Sequence, residues 1–265
     1  PGRGGSQIPI RTTLSAPLQR FTHQTLQRHL RELRGRNVED GAAIVLDNAT
    51  GQVLAWVGSS GELSRAADVD GVTALGQPGS TLKPFLYAQA IAEQRLTAAS
   101  LLEDSPTQIN TASGLYIPQN YDRQFKGWVS VRTALASSLN VPAVRALVMV
   151  SPDAFARQLR SLGLPLKEGG DYYGYSLALG SAEVSLLTLT NAYRALGNRG
   201  RFSQVVLALP PSSQPSPARA PTTPSTATAL DPVLPSSSAT SSQTPTPAPA
   251  PSAPTACWPR AFGRR

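Results

Sequence analysis

The stretch Gln77-Pro78-Gly79-Ser80-Thr81-Leu82-Lys83-Pro84-Phe85 constrains this chain more than any other. A Pro-Gly turn signal delivers a serine onto the first turn of an apolar helix that continues through Leu86-Tyr87-Ala88-Gln89-Ala90-Ile91-Ala92. Lys83 follows three residues later, and side chains three apart on a helix lie one above the other, with Cβ atoms about 5–6 Å apart. The helix start therefore sets an ammonium beside a hydroxyl. A desolvated lysine can lose its proton near neutral pH and act as the base for such a hydroxyl, with no histidine needed. The positive end of the helix dipole would lower the lysine pKa and favour negative charge on the serine oxygen.

Ser-x-x-Lys is a short pattern, so residue counts decide its weight. The chain holds 28 serines but only three lysines, Lys83, Lys126 and Lys167, against 21 arginines. Chance alone then yields about 0.3 such pairs. A second cluster, Ser138-Leu139-Asn140, lies at a helix end 55 residues beyond Lys83. An asparagine amide can orient a substrate carbonyl while a second hydroxyl relays a proton between lysine and leaving group. Ser and Asn also favour ordinary helix ends.

Other chemistries fit less well. His23 and His29 fall six residues apart on one amphipathic helix. They occupy different faces, make no metal pair, and would need a coincidental fold-back to form a triad with Ser80. The lone cysteine, Cys257, excludes an internal disulfide framework and a cysteine-based metal site. The net charge is +8, but the arginines form no dense run; Arg28 to Arg36 reads as the solvated face of a helix, which argues against nucleic-acid binding. No run approaches the ~18 apolar residues of a membrane helix, and no signal peptide is present. Starting at Pro1-Gly2-Arg3, the chain reads as a piece of something longer.

The elements follow from periodicity and punctuation. A helix is expected from Ser15 as N-cap, with Pro17 in its first turn, an apolar face of Leu18, Phe21, Leu26, Leu30 and Leu33, and Gly35 as its stop. Residues 42–47 and 52–57 read as a hairpin joined by Asn48-Ala49-Thr50-Gly51. The helix after Lys83 runs to about Gln94, and 97–126 show little regular periodicity. Helices follow from Val129, after Asn140-Val141-Pro142 to Val150, over Asp153–Leu162, and from a Ser181 cap to Leu196. From Val205 onward the composition shifts: 14 of the 24 prolines fall there among Ser, Thr and Ala. Such a segment buries too little apolar surface to offset its ordering entropy and reads as disordered, and a shifted reading frame would produce the same composition. The expected organisation is a linker over 1–14, one domain over 15–203, and a tail over 204–265.

With those residues in place, the chain resembles the transpeptidase domain of class A, bifunctional penicillin-binding proteins, and within them the 1C subgroup. The resemblance runs from about Ile10 to Phe202. It rests on Arg11-Thr12-Thr13-Leu14, the Ala43-to-Val57 hairpin, Gly79-Ser80-Thr81-Leu82-Lys83-Pro84-Phe85 and Pro118-Gln119-Asn120-Tyr121-Asp122. Two further stretches are Ala134-Leu135-Ala136-Ser137-Ser138-Leu139-Asn140-Val141-Pro142-Ala143-Val144 and Leu179-Gly180-Ser181-Ala182-Glu183-Val184. The Ser-x-x-Lys arrangement is also a documented motif of these enzymes and of β-lactamases.

The resemblance implies an α/β fold of the penicillin-binding protein and β-lactamase type, incomplete here: a helical part plus one β-hairpin, with the C-terminal strands missing. It implies a serine acyl transferase acting on peptidoglycan stem peptides that end in D-Ala-D-Ala, with β-lactam antibiotics as mimics and no cofactor or metal. Ser80 would be the nucleophile, Lys83 the general base, Ser138 the proton relay, and Asn140 the group holding the donor amide. The parent protein would sit at the periplasmic face of a bacterial inner membrane.

Two departures stand out. The family's third motif, Lys-Thr-Gly or close to it, is not found: no lysine is followed by Thr-Gly or Ser-Gly. The expected Asn-Gly-Gly after the last helix reads Asn198-Arg199-Gly200, and no glycosyltransferase region or membrane anchor precedes the domain. Weak or absent turnover is the expectation. The alternatives are a β-lactamase-like hydrolase, against which Ser-Leu-Asn stands where Ser-Asp-Asn would be expected, and a non-catalytic binding remnant.

Overall fold

A computed structural model describes residues 10–111, 114–209 and 256–259. Helix α1 (Ala16–Glu32) opens with Pro17 in its first turn, but Ser15 makes no side-chain cap. Its N–H instead donates to Leu54 O, which ties the helix start to the hairpin. Strands β1 (Gly41–Leu46) and β2 (Val53–Val57) pair antiparallel, with an irregularity between Val45 and Leu46. Alternation on β1 divides two small cores. Ala43 packs with Val57, Leu26 and Leu30 of α1, while Ala42, Ile44 and Leu46 face Leu186 and Val72 on the other side. The bulge carries Val53 to that second face, although Val57 stays on the first.

Strand β3 (Leu75–Gly76) leads to a 3-10 turn (Gly79–Leu82) and then α2 (Lys83–Ala92). Next come β4 (Leu101–Asp104), β5 (Ile109–Thr111), β6 (Gly114–Tyr116) and β7 (Gly127–Ser130). Helices α3 (Val131–Ala136), α4 (Asn140–Val150), α5 (Pro152–Ser161) and the short α6 (Gly170–Tyr173) follow. Strand β8 (Val184–Ser185), α7 (Leu186–Gly197) and β9 (Ala256–Pro259) complete the described elements. The large core is helical: Phe85, Leu86 and Ala90 of α2 meet Ala143, Val144 and Leu147 of α4, with Phe155 and Leu159 of α5 behind them. Both central helices are apolar on nearly every side, which is why they lie inside.

Four differences from the sequence reading are informative. Besides the hairpin, three short antiparallel pairs form, β3–β8, β4–β7 and β5–β6, two of them within or bordering the stretch read as irregular. Strands of two to four residues are too short for a period of two to show. The cap of α7 is Ser185, whose Oγ accepts from Thr188 N–H, rather than Ser181. The segments assigned to linker and tail meet one another: Thr13 N–H donates to Leu207 O, Leu209 N–H to Arg11 O, and Val53 N–H to Val206 O. These contacts carry the fold to Arg11 at one end and Leu209 at the other, because the unpaired edge of β2 supplies backbone partners that composition alone does not reveal. The third strand of the β2-β1-β9 sheet, β9, also comes from the expected tail; residues 210–255 and 260–265 of that tail lie outside the described residues.

Asp40 anchors the hairpin to the loop that follows it. Its Oδ1 accepts from Gly41 N–H at 2.7 Å and Ser60 N–H at 2.8 Å, and its Oδ2 from Ser64 Oγ. Burial pushes this carboxyl upward, but the bonds from Ser64, Ser60 and Gly41 outweigh it and hold the pKa below the usual value. A folded-state pKa below the unfolded one contributes stability that is present above the ordinary carboxylate range and lost as pH falls through the folded value. Asp40→Ala is expected to lower unfolding free energy by about 1–2 kcal/mol at neutral pH. Urea unfolding of both proteins down to acid pH should show the gap closing; a gap independent of pH would mean that the carboxylate charge is not its source.

Candidate active site

Ser80 stands in the 3-10 turn, one step before the α-helix proper rather than in its first turn. In 3-10 geometry residues i and i+3 eclipse, so Ser80 and Lys83 remain aligned. They differ sharply in environment. Ser80 is exposed, whereas Lys83 is 1% exposed and among the largest fully buried side chains. Two contacts pin the serine turn from the far end of the chain. Tyr193 Oη on α7 donates to Thr81 O at 2.7 Å, with its ring edge-on to Phe85. Gly180, at φ +79°, lies so close that a Cβ there would come within 2.2–2.5 Å of Gly79 backbone atoms. Only glycine fits that approach.

Lys83 reaches across the core to the junction of α3 and α4. Its Nζ donates to Ser138 O at 2.6 Å, to Asn140 Oδ1 at 2.7 Å and to Ser138 Oγ at 3.2 Å. Three N–H bonds thus meet three oxygens from the Ser-Leu-Asn cluster, and the structure brings Lys83, Ser138 and Asn140 together as a unit. No hydrogen bond joins Ser80 to Lys83 among the described residues; catalytic contacts are often long before substrate binds. Burial pushes the Lys83 ammonium down to about 8 from an ordinary 10.5. The cause is desolvation, which disfavours the charged form.

The junction holds its shape through a strained residue. Ser138 sits at φ +52°, in the left-handed region. Its N–H donates to Leu135 O and Leu139 N–H donates to Ala134 O, the two bonds of a Schellman helix stop. That position usually takes glycine, yet here it carries a hydroxyl directed at Lys83.

A further group was quoted in the sequence motifs without being assigned to the site. The Asn140 side chain donates from Nδ2 to Gln119 O at 2.8 Å, and its backbone N–H donates to Asn120 Oδ1 at 2.8 Å. Asn120 is buried and leans on Asp104, which is fully buried at the end of β4. The signal for these residues was Pro118-Gln119-Asn120-Tyr121-Asp122, one of the stretches on which the family resemblance rests. The histidines play no part: His29 pairs with Glu32 at the surface and His23 is half-buried, both on α1.

Comparison with known proteins gives the family. The family model for the penicillin binding protein transpeptidase domain matches residues 41–245. Penicillin-binding protein 1C of Escherichia coli (strain K12) is 39% identical over 201 residues, covering 75% of this chain and 25% of that protein. Penicillin-binding protein 1F of Bacillus subtilis (strain 168) is 30% identical over 198 residues, 74% of this chain and 26% of that protein. The chain thus spans about a quarter of the length of these relatives. Among solved structures, penicillin-binding protein 1A from Haemophilus influenzae matches with TM-score 0.57 at 30% identity, over 64% of this chain and 25% of that one. PonA1 from Mycobacterium tuberculosis in complex with penicillin V matches with TM-score 0.61 at 21% identity, over 76% of this chain and 54% of that one, a likeness of fold. A mixed helix and strand fold with a small sheet, a serine turn heading a buried-lysine helix, and the matched family model together assign the chain: it belongs to the penicillin-binding protein transpeptidase domain family.

Proposed function

We propose that this chain carries the acyl-transfer site of a peptidoglycan DD-transpeptidase, with Ser80 as nucleophile, Lys83 as base, Ser138 as relay and Asn140 as substrate-orienting amide. The observation that carries this reading is the buried Lys83 Nζ held by Ser138 and Asn140 beside an exposed serine. Its natural substrate would be a stem peptide ending in D-Ala-D-Ala, and penicillins would mimic it. The setting would be the periplasmic side of the inner membrane, through a longer parent protein; among the described residues no helix is long and apolar enough to cross a membrane.

The chemistry follows from the hydrogen bonds. As an ammonium, Lys83 donates to two oxygens that can only accept, Ser138 O and Asn140 Oδ1, and less closely to a hydroxyl, Ser138 Oγ, that can also donate. The neutral amine keeps the two short bonds and turns its lone pair outward. It takes the Ser80 proton as Oγ bonds to the carbonyl carbon of the penultimate D-Ala. The Ser138 hydroxyl passes its proton to the departing nitrogen and takes one from the Lys83 ammonium, the C–N bond breaks, and free D-Ala leaves an ester on Ser80. An amine of a second stem peptide then attacks that ester, forms the cross-link and restores the serine.

Ser138 illustrates what the site costs the fold. A left-handed non-glycine residue is disfavoured by about 1–2 kcal/mol, while its hydroxyl is the group best placed to shuttle the proton. The third motif expected of the family is absent from residues 1–265. Losing one oxyanion donor commonly costs about 10²–10³ in rate, so weak or absent turnover by residues 1–265 is the consistent outcome.

Three outcomes check this reading. Labelled penicillin is expected to form a lasting adduct, seen by intact mass, that Ser80→Ala abolishes. Rapid hydrolysis of the drug would indicate a β-lactamase, robust cross-linking or release of D-Ala would overturn the slow turnover, and no adduct at all would defeat the assignment. Because the neutral lysine is the base, the acylation rate should rise with pH and level off above about 8. Ser138→Gly should raise unfolding free energy by about 0.5–1 kcal/mol, since the strain is relieved, while acylation slows by about 10²-fold or more; urea unfolding and the labelling rate read the two arms.

A further inference from the structure

Helix α4 begins without a cap of its own. Leu139 precedes it and offers no side-chain acceptor. The first N–H groups of a helix need partners from outside, and here one residue from a distant loop provides them. Asn120 Oδ1 accepts from Asn140 N–H at 2.8 Å and from Val141 N–H at 3.3 Å. It is an N-cap supplied across the fold, twenty residues upstream in the chain.

The orientation of the Asn120 amide is over-determined. Its Nδ2 donates to Asp104 Oδ1 at 2.8 Å, to Asp104 Oδ2 at 2.9 Å and to Gln124 O at 2.8 Å. Every group on that side only accepts, and every group facing Oδ1 only donates. A flipped amide would set acceptor against acceptor and N–H against N–H. Asp104 itself is fully buried, and among the described residues no basic side chain pairs with it; besides Asn120 it accepts from Lys126 N–H, at 2.9 Å. A carboxylate desolvated to this degree, without an ion pair, is costly to keep. Both of its oxygens accept from Asn120, and through Asn120 it bears on the residue that touches the lysine.

Gln119 completes the grip. Its carbonyl takes the Asn140 Nδ2, which leaves Asn140 Oδ1 directed at Lys83 Nζ. Two consecutive loop residues thus hold Asn140 by backbone and by side chain. We propose that Asn120, locked by Asp104, is the positioning residue that keeps Asn140 and Ser138 against the Lys83 amine in the acyl-transfer site. This rests on the functional reading above but is testable without any substrate. Asn140 Oδ1 is one of three acceptors on the ammonium, and among the described residues no charged side chain bonds to Nζ. Withdrawing that acceptor favours the neutral amine, so the lysine should lose its proton at lower pH.

The chain has only three lysines, so 13Cε-lysine NMR gives three signals, of which Lys126→Arg and Lys167→Arg assign two. In the full chain, Asn120→Ala is expected to shift the Lys83 titration down by about one pH unit, the worth of one hydrogen bond to a charged group. Lys167 should not move. Asp104→Asn, which preserves volume but leaves one side-chain oxygen for Asn120 Nδ2 and Lys126 N–H where there were two, should shift Lys83 in the same direction by less, and it carries the test if Asn120→Ala does not fold. An unmoved Lys83 titration in folded variants would falsify the proposal. Unfolding of both variants would equally overturn it, since the loop would then be a structural staple only. Failure of penicillin labelling in the unsubstituted chain would defeat the acyl-transfer reading and leave this titration result standing.

Discussion

The structure depends on one awkward group, a lysine ammonium with 1% exposure in the middle of an apolar helical core. A buried cation must be met by oxygens or surrender its proton, and Lys83 does some of each. Three oxygens from Ser138 and Asn140 receive its N–H groups, while burial brings its pKa down to about 8. Neither solution alone would suit the proposed base. Full solvation would leave the amine protonated near neutrality, and a facing carboxylate would hold the proton more tightly still. Neutral acceptors stop the site from collapsing without fixing the charge.

That requirement shapes the surrounding fold. The acceptors come from the junction between α3 and α4, where the chain makes a Schellman stop through a serine rather than a glycine and restarts at once as a helix. A junction with a strained residue and an uncapped helix start is a weak structural element. The loop carrying Gln119 and Asn120 supports it from outside, and a buried carboxylate, Asp104, supports the loop. On the nucleophile side, Gly180 and Tyr193 hold the serine turn. The site is therefore assembled from several separate segments, each held by a neighbour that fills what it lacks.

The sheet is organised differently. β1 is buried on both faces, between α1 and α7, and its two edges are taken by β2 and β9. Residues 204–209 lie along β2 and against 11–13, so backbone donors at that edge are also satisfied. Open edges invite pairing with other chains, and this fold closes them with segments whose composition reads as linker and tail.

Much of this was legible in the sequence. The apolar run after Lys83, the alternation in the hairpin, and the serine and proline that open α5 are local signals, since each depends on residues within one or two turns. Ser80, Lys83, Ser138 and Asn140 stood out as candidates, because few lysines make a Ser-x-x-Lys pair conspicuous and hydroxyl-amide chemistry offers Ser-Leu-Asn a role beside it, and packing brings the last three together. What sequence could not supply was distance across the core. The 55-residue span from Lys83 to Ser138, the cap that Asn120 lends to α4, and the pairing of β3 with β8 exist only once α2 and α4 pack together. The short strands were hidden because two to four residues carry no period, and the tail segments because an edge of unpaired backbone attracts partners regardless of side chain. Composition and spacing named the candidate groups; packing left Lys83 dry, and so set which of its protonation states the proposed site would use.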